Sequence, residues 1–215
     1  MKLVSGEPHA EPWQVMPIKV FIPSVFDIAV KLPERPWILA VDGRSASGKS
    51  TLAKQLNHHI PRSAIVHTDD IAWHHSFFDW SDLLIEEILQ PIRAGQAVSY
   101  IPPGWKTHNR SGSIDVAANL DLLIIEGVGA SRTEMMPFID RSIWVQSDFD
   151  EARRRGIERD GGNEDAIQFW DEWMAAELVF LAEQRPWERA TVIVNGSYPH
   201  KYDRDSAMVV SSKGG

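Results

Sequence analysis

Trp37-Ile38-Leu39-Ala40-Val41-Asp42-Gly43-Arg44-Ser45-Ala46-Ser47-Gly48-Lys49-Ser50-Thr51-Leu52 is the stretch from which the chain is best read. An apolar run ends at Gly43, four residues follow, and Gly48-Lys49-Ser50 opens a helical pattern. The spacing is that of a phosphate-binding loop, G-x-x-x-x-G-K-[ST], between a strand and a helix. Gly43 and Gly48 allow backbone angles that side chains forbid, so successive N–H groups can turn inward around a phosphate. The helix beyond adds its dipole and free N–H groups. Lys49 is expected to reach the β- and γ-phosphates and Ser50 to ligate Mg²⁺, with Gly43, Arg44, Ser45, Ala46, Ser47, Gly48 and Thr51 completing the cradle.

Upstream, Pro8, Pro12, Pro17, Pro23, Pro33 and Pro36 exclude one long helix from residues 1–36. That region is expected to be a leader packing on the domain, with a short helix over residues 24–32 capped by Ser24. Downstream, a helix from Lys49 to His59 leads to a buried strand, Ser63 to His67, that ends in Thr68-Asp69-Asp70. Ser81 is expected to cap a helix over residues 82–94. A minor strand over 96–101 and a Pro/Gly-containing loop over 102–112 follow. Residues 120–125 form a second buried strand, ending in Glu126-Gly127, and residues 142–145 a shorter one. A basic helix from Phe149 to Arg159 ends at Gly161-Gly162, and a long amphipathic helix from Glu164 to Gln184 is stopped by Pro186. Residues 190–194 read as the last strand, and residues 201–215 as a polar, frayed tail.

With 215 residues the chain suits one α/β domain, with residues 37–200 as its body. The net charge of −8 argues against a nucleic-acid partner, whose phosphates demand a basic face. The chain has no Cys, which excludes a disulfide framework and fits a reducing cytoplasm. No apolar run approaches the ~20 residues of a membrane span, and no signal-peptide pattern opens the chain. A small-molecule partner is therefore expected.

Apolar strands alternating with helices imply a mainly parallel sheet, with helices on both faces. Ligands in such sheets bind beyond the carboxyl ends of the strands. The phosphate loop, Asp69 and Glu126 all fall there and should face one crevice. Asp69 and Glu126 are candidates for two tasks, holding Mg²⁺ and taking a proton from an attacking hydroxyl. Arg155 and Arg159 lie on one helix face, either as part of a solvated basic surface or as a lid over the γ-phosphate, with Gly161-Gly162 as its hinge. The lid is expected over residues 149–163.

Residues 37–196 resemble the uridine kinase family of P-loop nucleoside kinases, with nicotinamide riboside kinases and phosphoribulokinase as more distant relatives. The resemblance rests on the loop from Asp42 to Ala53, on Asp69, on Phe78-Asp79, on Thr107-His108-Asn109-Arg110 and on Arg159-Asp160. It implies a P-loop NTPase fold with a small helical lid, and Asp69 as catalytic base. It further implies Asp79 on the ribose hydroxyls, and His108 and Arg110 in the nucleoside pocket. The family's aromatic–acid pair before that His is replaced here by Pro103-Gly104, and Trp73, Phe77, Trp80 or Trp105 could supply the missing ring.

The expected function is therefore transfer of the γ-phosphate of ATP, with Mg²⁺, to a hydroxyl, foremost the 5′-hydroxyl of a pyrimidine ribonucleoside. A sugar or vitamin alcohol as acceptor, or a nucleotide switch with no acceptor, are the alternatives.

Overall fold

The computed structural model describes residues 1–26 and 36–211. A seven-stranded sheet runs through its centre in the order β1-β9-β8-β7-β2-β6-β3. Its strands are β1 (Trp13–Pro17), β2 (Trp37–Gly43), β3 (Ser63–His67), β6 (Leu122–Glu126), β7 (Arg141–Gln146), β8 (Val192–Asn195) and β9 (Ala207–Ser211). The five strands from β8 to β3 are parallel, and β9 and β1 extend one edge antiparallel. The result is the α/β fold of P-loop NTPases, with helices packed on a mostly parallel sheet.

Side-chain alternation builds the two faces. Ile38 and Ala40 of β2, with Leu123 and Ile125 of β6, pack against Trp80, Leu84, Ile88 and Ile92 on one face. Leu39, Val41, Leu122 and Ile124 point the other way, onto Leu52, Ala53 and Leu56 of α2 (Lys49–His59) and onto Phe21 and Ile22 of α1 (Ile18–Val25). Both faces are covered, so these strands carry near-continuous apolar runs. The register then fixes the site. Val41 pairs with Glu126, and Glu126 with His67, so three strand ends lie side by side at one edge of the sheet.

Several local expectations are revised. β3 ends at His67, and Asp69 is the second residue of a short helix, α3 (Thr68–Ala72). Ser81 is the first residue of α4 (Ser81–Leu84) and makes no side-chain cap; Trp80 holds the cap position. That helix continues through a π-helical turn (Ile85–Leu89) into α5 (Gln90–Arg93). The minor strand is β4 (Val98–Tyr100), paired outside the main sheet with β5 (Ile114–Val116). Between them the expected loop contains α6 (Pro103–Thr107).

The chain does not end its strands at residue 194. The expected frayed tail supplies β9, whose Ala207, Met208, Val209 and Val210 are buried. This apolar run closes the sheet edge against the leader strand β1. In the leader, the helix is α1, which ends at Val25; residues 27–32 of the expected helix lie outside the described residues. The basic helix is α7 (Phe149–Arg159), capped by Asp148, whose carboxylate accepts the N–H of Asp150 at 3.1 Å and of Glu151 at 3.0 Å. After Gly161-Gly162, Asn163 caps α8 (Glu164–Gln184). Among the described residues, no helix is long and apolar enough to cross a membrane.

Candidate active site

The phosphate loop leaves β2 at Gly43 and enters α2 through Gly48, whose φ of +103° is a left-handed angle that a Cβ would oppose. Behind the loop, Asp42 is fully buried. Its carboxylate accepts the N–H groups of Gly43 (2.7 Å), Gly129 (3.0 Å) and Ser131 (2.8 Å), and the Ser131 hydroxyl (2.8 Å). Burial nonetheless raises the Asp42 carboxyl above its ordinary value, so desolvation outweighs the four bonds that favour the anion. The bonds tie the loop's origin to the segment after β6.

A cavity of about 430 Å³ opens beside the loop. Its polar wall carries Lys49, Ser50, Asp69, Glu126 and Arg159. Ser50 Oγ donates to Glu126 Oε1 at 3.2 Å, and His67 Nδ1 lies 2.5 Å from Glu126 Oε2. Burial alone would raise the Glu126 carboxyl, but the His67 bond and the Lys49 charge reverse this and lower it. The bond to Glu126 raises His67 in turn. For Asp69 burial wins: its carboxyl is raised, with Glu126 adding to the effect and Lys49, His67 and Arg159 opposing it. Two carboxyls lining one cavity are thus shifted in opposite directions. Lys49 Nζ donates to the Arg44 carbonyl at 2.9 Å.

The rest of the lining is largely aromatic. Trp73, Phe77 and Trp80 come from the segment after α3, and Phe169, Trp170 and Trp173 from α8. Trp80 and Trp170 are buried, at 1% and 2% exposed, whereas Phe77 and Phe169 are 39% and 47% exposed. Trp173 joins the two parts of the lining: its Nε1 donates to Ser45 Oγ at 2.7 Å, and its ring meets Phe77 edge-on at 4.9 Å.

A second cavity of about 320 Å³ shares the loop with the first. Ala46, Gly48, Ser50 and Arg159 line both cavities, and Thr51, Arg155, Asn195, Gly196, Tyr202 and Arg204 belong to the second. Arg155 donates to the Gly196 carbonyl at 3.0 Å and pairs with Glu151 at 2.5 Å. Arg159 holds Asp160 at 2.8 Å, and Asp160 also accepts the Trp170 indole N–H at 2.8 Å.

The expected acceptor residues separate. Trp73 lines the first cavity, but Asp79 does not. Asp79 is exposed, its backbone N–H donates to Ser76 Oγ at 3.1 Å, and its charge acts on Arg132. His108 and Arg110 also stand outside the lining. His108 stacks on His74 at 3.9 Å, while Arg110 pairs with Asp70 at 2.6 Å and lies 3.7 Å over the Trp105 ring. They brace Trp73 and His74 from behind. Of the four rings expected to fill the missing aromatic position, Trp73, Phe77 and Trp80 reach the cavity; Trp105 is buried with its Nε1 on the Asp70 carbonyl at 2.8 Å. At Gly104 a side chain is sterically excluded: a Cβ there would stand 2.0 Å from the Trp73 carbonyl oxygen.

Two participants escaped sequence reasoning. The α8 aromatics Phe169, Trp170 and Trp173 were not among the expected site residues. Glu177, also on α8, is 1% exposed and accepts the Ser45 N–H at 2.7 Å. Its signal was an acid on the buried stripe Trp170, Met174, Glu177, Leu181.

Curated relatives and solved structures resemble this chain in sequence and in fold. The chain is 29% identical over 146 residues to a uridine kinase of Halalkalibacterium halodurans, covering 59% of this chain and 68% of that protein. It is 24% identical over 144 residues to uridine kinase-like protein 5 of Arabidopsis thaliana, covering 59% of this chain and 31% of that longer protein. No family model matches the chain. Among solved structures, it superposes with a TM-score of 0.56 on a Silicibacter sp. TM1040 protein assigned as a fructose transport system kinase, at 18% identity, covering 81% of this chain and 95% of that one. A Bacillus stearothermophilus protein described as a possible uridine kinase gives a TM-score of 0.50 at 23% identity, covering 78% of this chain and 92% of that one. The chain therefore has the fold of the P-loop kinases, and its sequence is similar to that of uridine kinases.

Proposed function

We propose that the protein is an ATP-dependent kinase that transfers the γ-phosphate to the 5′-hydroxyl of a nucleoside, pyrimidine ribonucleosides foremost. One observation carries the reading: a single cavity is lined both by the phosphate loop, Asp69 and Glu126 and by six aromatic side chains. A flat base suits such a lining, because stacking needs only an exposed π-face. Proteins named uridine kinase among the relatives support the nucleoside class.

In this reading the donor's phosphates lie along the loop, between the two cavities, and its base enters the second, beside Tyr202 and Arg204. Lys49 exchanges the Arg44 carbonyl for β- and γ-phosphate oxygens. Ser50 and Glu126 offer adjacent oxygen donors, which suit a hard cation such as Mg²⁺ held by few protein ligands and by the phosphates themselves. Bound there, the cation would neutralise charge on the transferring group. Asp69 takes the proton of the acceptor hydroxyl as that oxygen bonds to the γ-phosphorus; the bond to the β,γ-bridging oxygen breaks and ADP leaves. Arg159, facing both cavities, stabilises the charge between them.

The test is ATP-dependent phosphorylation across ribonucleosides, deoxynucleosides, nicotinamide riboside, pantothenate and simple sugars. A ribonucleoside should turn over fastest. Turnover of a non-aromatic alcohol alone would remove the nucleoside and leave the kinase; ATP hydrolysis indifferent to every acceptor would remove the kinase.

A further inference from the structure

The leader connects two parts of the site that the sheet alone leaves independent. At one end, the Lys2 carbonyl accepts the N–H of Phe149 at 2.9 Å, and the Lys2 N–H donates to Asp148 at 2.6 Å. Asp148 is the residue that caps α7, the helix that brings Arg155 and Arg159 to the two cavities. At the other end, Glu7 Oε2 accepts Arg44 of the phosphate loop at 2.6 Å, and both side chains are 0% exposed. Glu7 Oε1 accepts Trp144 Nε1 at 2.9 Å and Gln146 Nε2 at 3.1 Å, which anchors the carboxylate to β7.

Arg44 has no other ion-pair partner among the described residues, and its Nε and second terminal nitrogen are buried without hydrogen bonds. The same residue's carbonyl receives Lys49. The guanidinium is thus turned away from the cavities into the leader, while the backbone of the same residue faces the catalytic lysine.

A buried ion pair is a weak source of stability, since apolar residues of similar volume often do as well. What it supplies here is a fixed position for one residue of a loop whose function depends on backbone geometry. We propose that residues 2–8 form a strap that sets the phosphate loop relative to α7, with Glu7 as a positioning residue for the donor phosphates. The proposal rests on the donor reading above, in which ATP lies along this loop.

The experiment compares Glu7→Gln with wild type in the full chain, by titration with a fluorescent ATP analogue and by steady-state kinetics well below the melting temperature. The strap predicts a rise of about tenfold or more in the Kd and KM for ATP, with the acceptor KM unchanged, because small displacements at a phosphate site are amplified. A lower melting temperature with both KM values at wild type overturns it, since that is the signature of a purely structural pair. If Glu7→Gln does not fold, Arg44→Lys keeps the charge and loses the fork; a rise confined to the ATP constants supports the strap, and unchanged constants overturn it. A wild type that binds no ATP would overturn the donor reading and the strap together, whereas equal binding by wild type and variant removes the strap alone.

Discussion

The two walls of the first cavity are built on different principles. The donor wall comes from one contiguous loop, which puts Ser45, Ala46, Gly48, Lys49 and Ser50 in the lining, plus acids at the ends of neighbouring segments; its chemistry lies in backbone angles and charge. The acceptor wall is assembled from separated stretches, residues 73–80 and α8, and its chemistry lies in ring faces. A phosphate is the same in every nucleotide, so its cradle can be a fixed local pattern. An acceptor is bound by shape, and a shape can be built from any elements the fold brings together.

The contrast is broken most severely on the donor wall. Lys49→Ala should lower transfer by more than about 10³-fold, since it removes a preorganised charge from the transferring group. Circular dichroism should show the fold intact. Turnover close to wild type would mean that the loop does not hold the reacting phosphate.

Asp69→Asn should lower kcat by about 10²–10⁴-fold, the contribution of a positioned general base, with the ATP constants little changed. Burial raises this carboxyl, so its base form disappears as pH falls through a value above the ordinary aspartate range. The acid limb of the wild-type kcat profile should therefore lie above that range. A variant that loses only ATP or Mg²⁺ affinity would make Asp69 a cation-sphere residue and leave the proton to Glu126.

The acceptor wall should respond differently. Phe77→Ala should raise the acceptor KM by about 2- to 12-fold with kcat nearly unchanged, as expected for loss of one stacking face worth about 0.5–1.5 kcal/mol. An equal rise in the KM for ATP would erase the distinction between the walls. Asp79→Ala should be the mildest, with acceptor constants within about twofold of wild type, because the side chain is exposed and outside the cavity lining. A large loss there would show that the segment after α3 moves on binding and brings the carboxylate to the ribose.

The donor wall was legible because its physics is local. Gly48 and Lys49 identify themselves by spacing, and the apolar runs before Gly43 and Glu126 gave the strands whose register aligns them. The acceptor wall was legible only in part. Trp73 and Phe77 stood near a recognisable segment, but Phe169 and Trp173 share their periodicity with core residues of any amphipathic helix. Asp79, His108 and Arg110 matched a family pattern, yet here the last two brace aromatic residues. β9 was hidden for another reason: Ala207 to Val210 is a short apolar run in a polar stretch, and its partner β1 lies about 200 residues earlier in sequence.

The most direct test follows the γ-phosphate of labelled ATP in wild type and Asp69→Asn, with and without uridine. Wild type should place the label in the nucleoside 5′-phosphate, and the variant should do so at least about 10²-fold more slowly. Label recovered only as inorganic phosphate, at a rate indifferent to uridine and to every other acceptor and unaffected by the substitution, would contradict it.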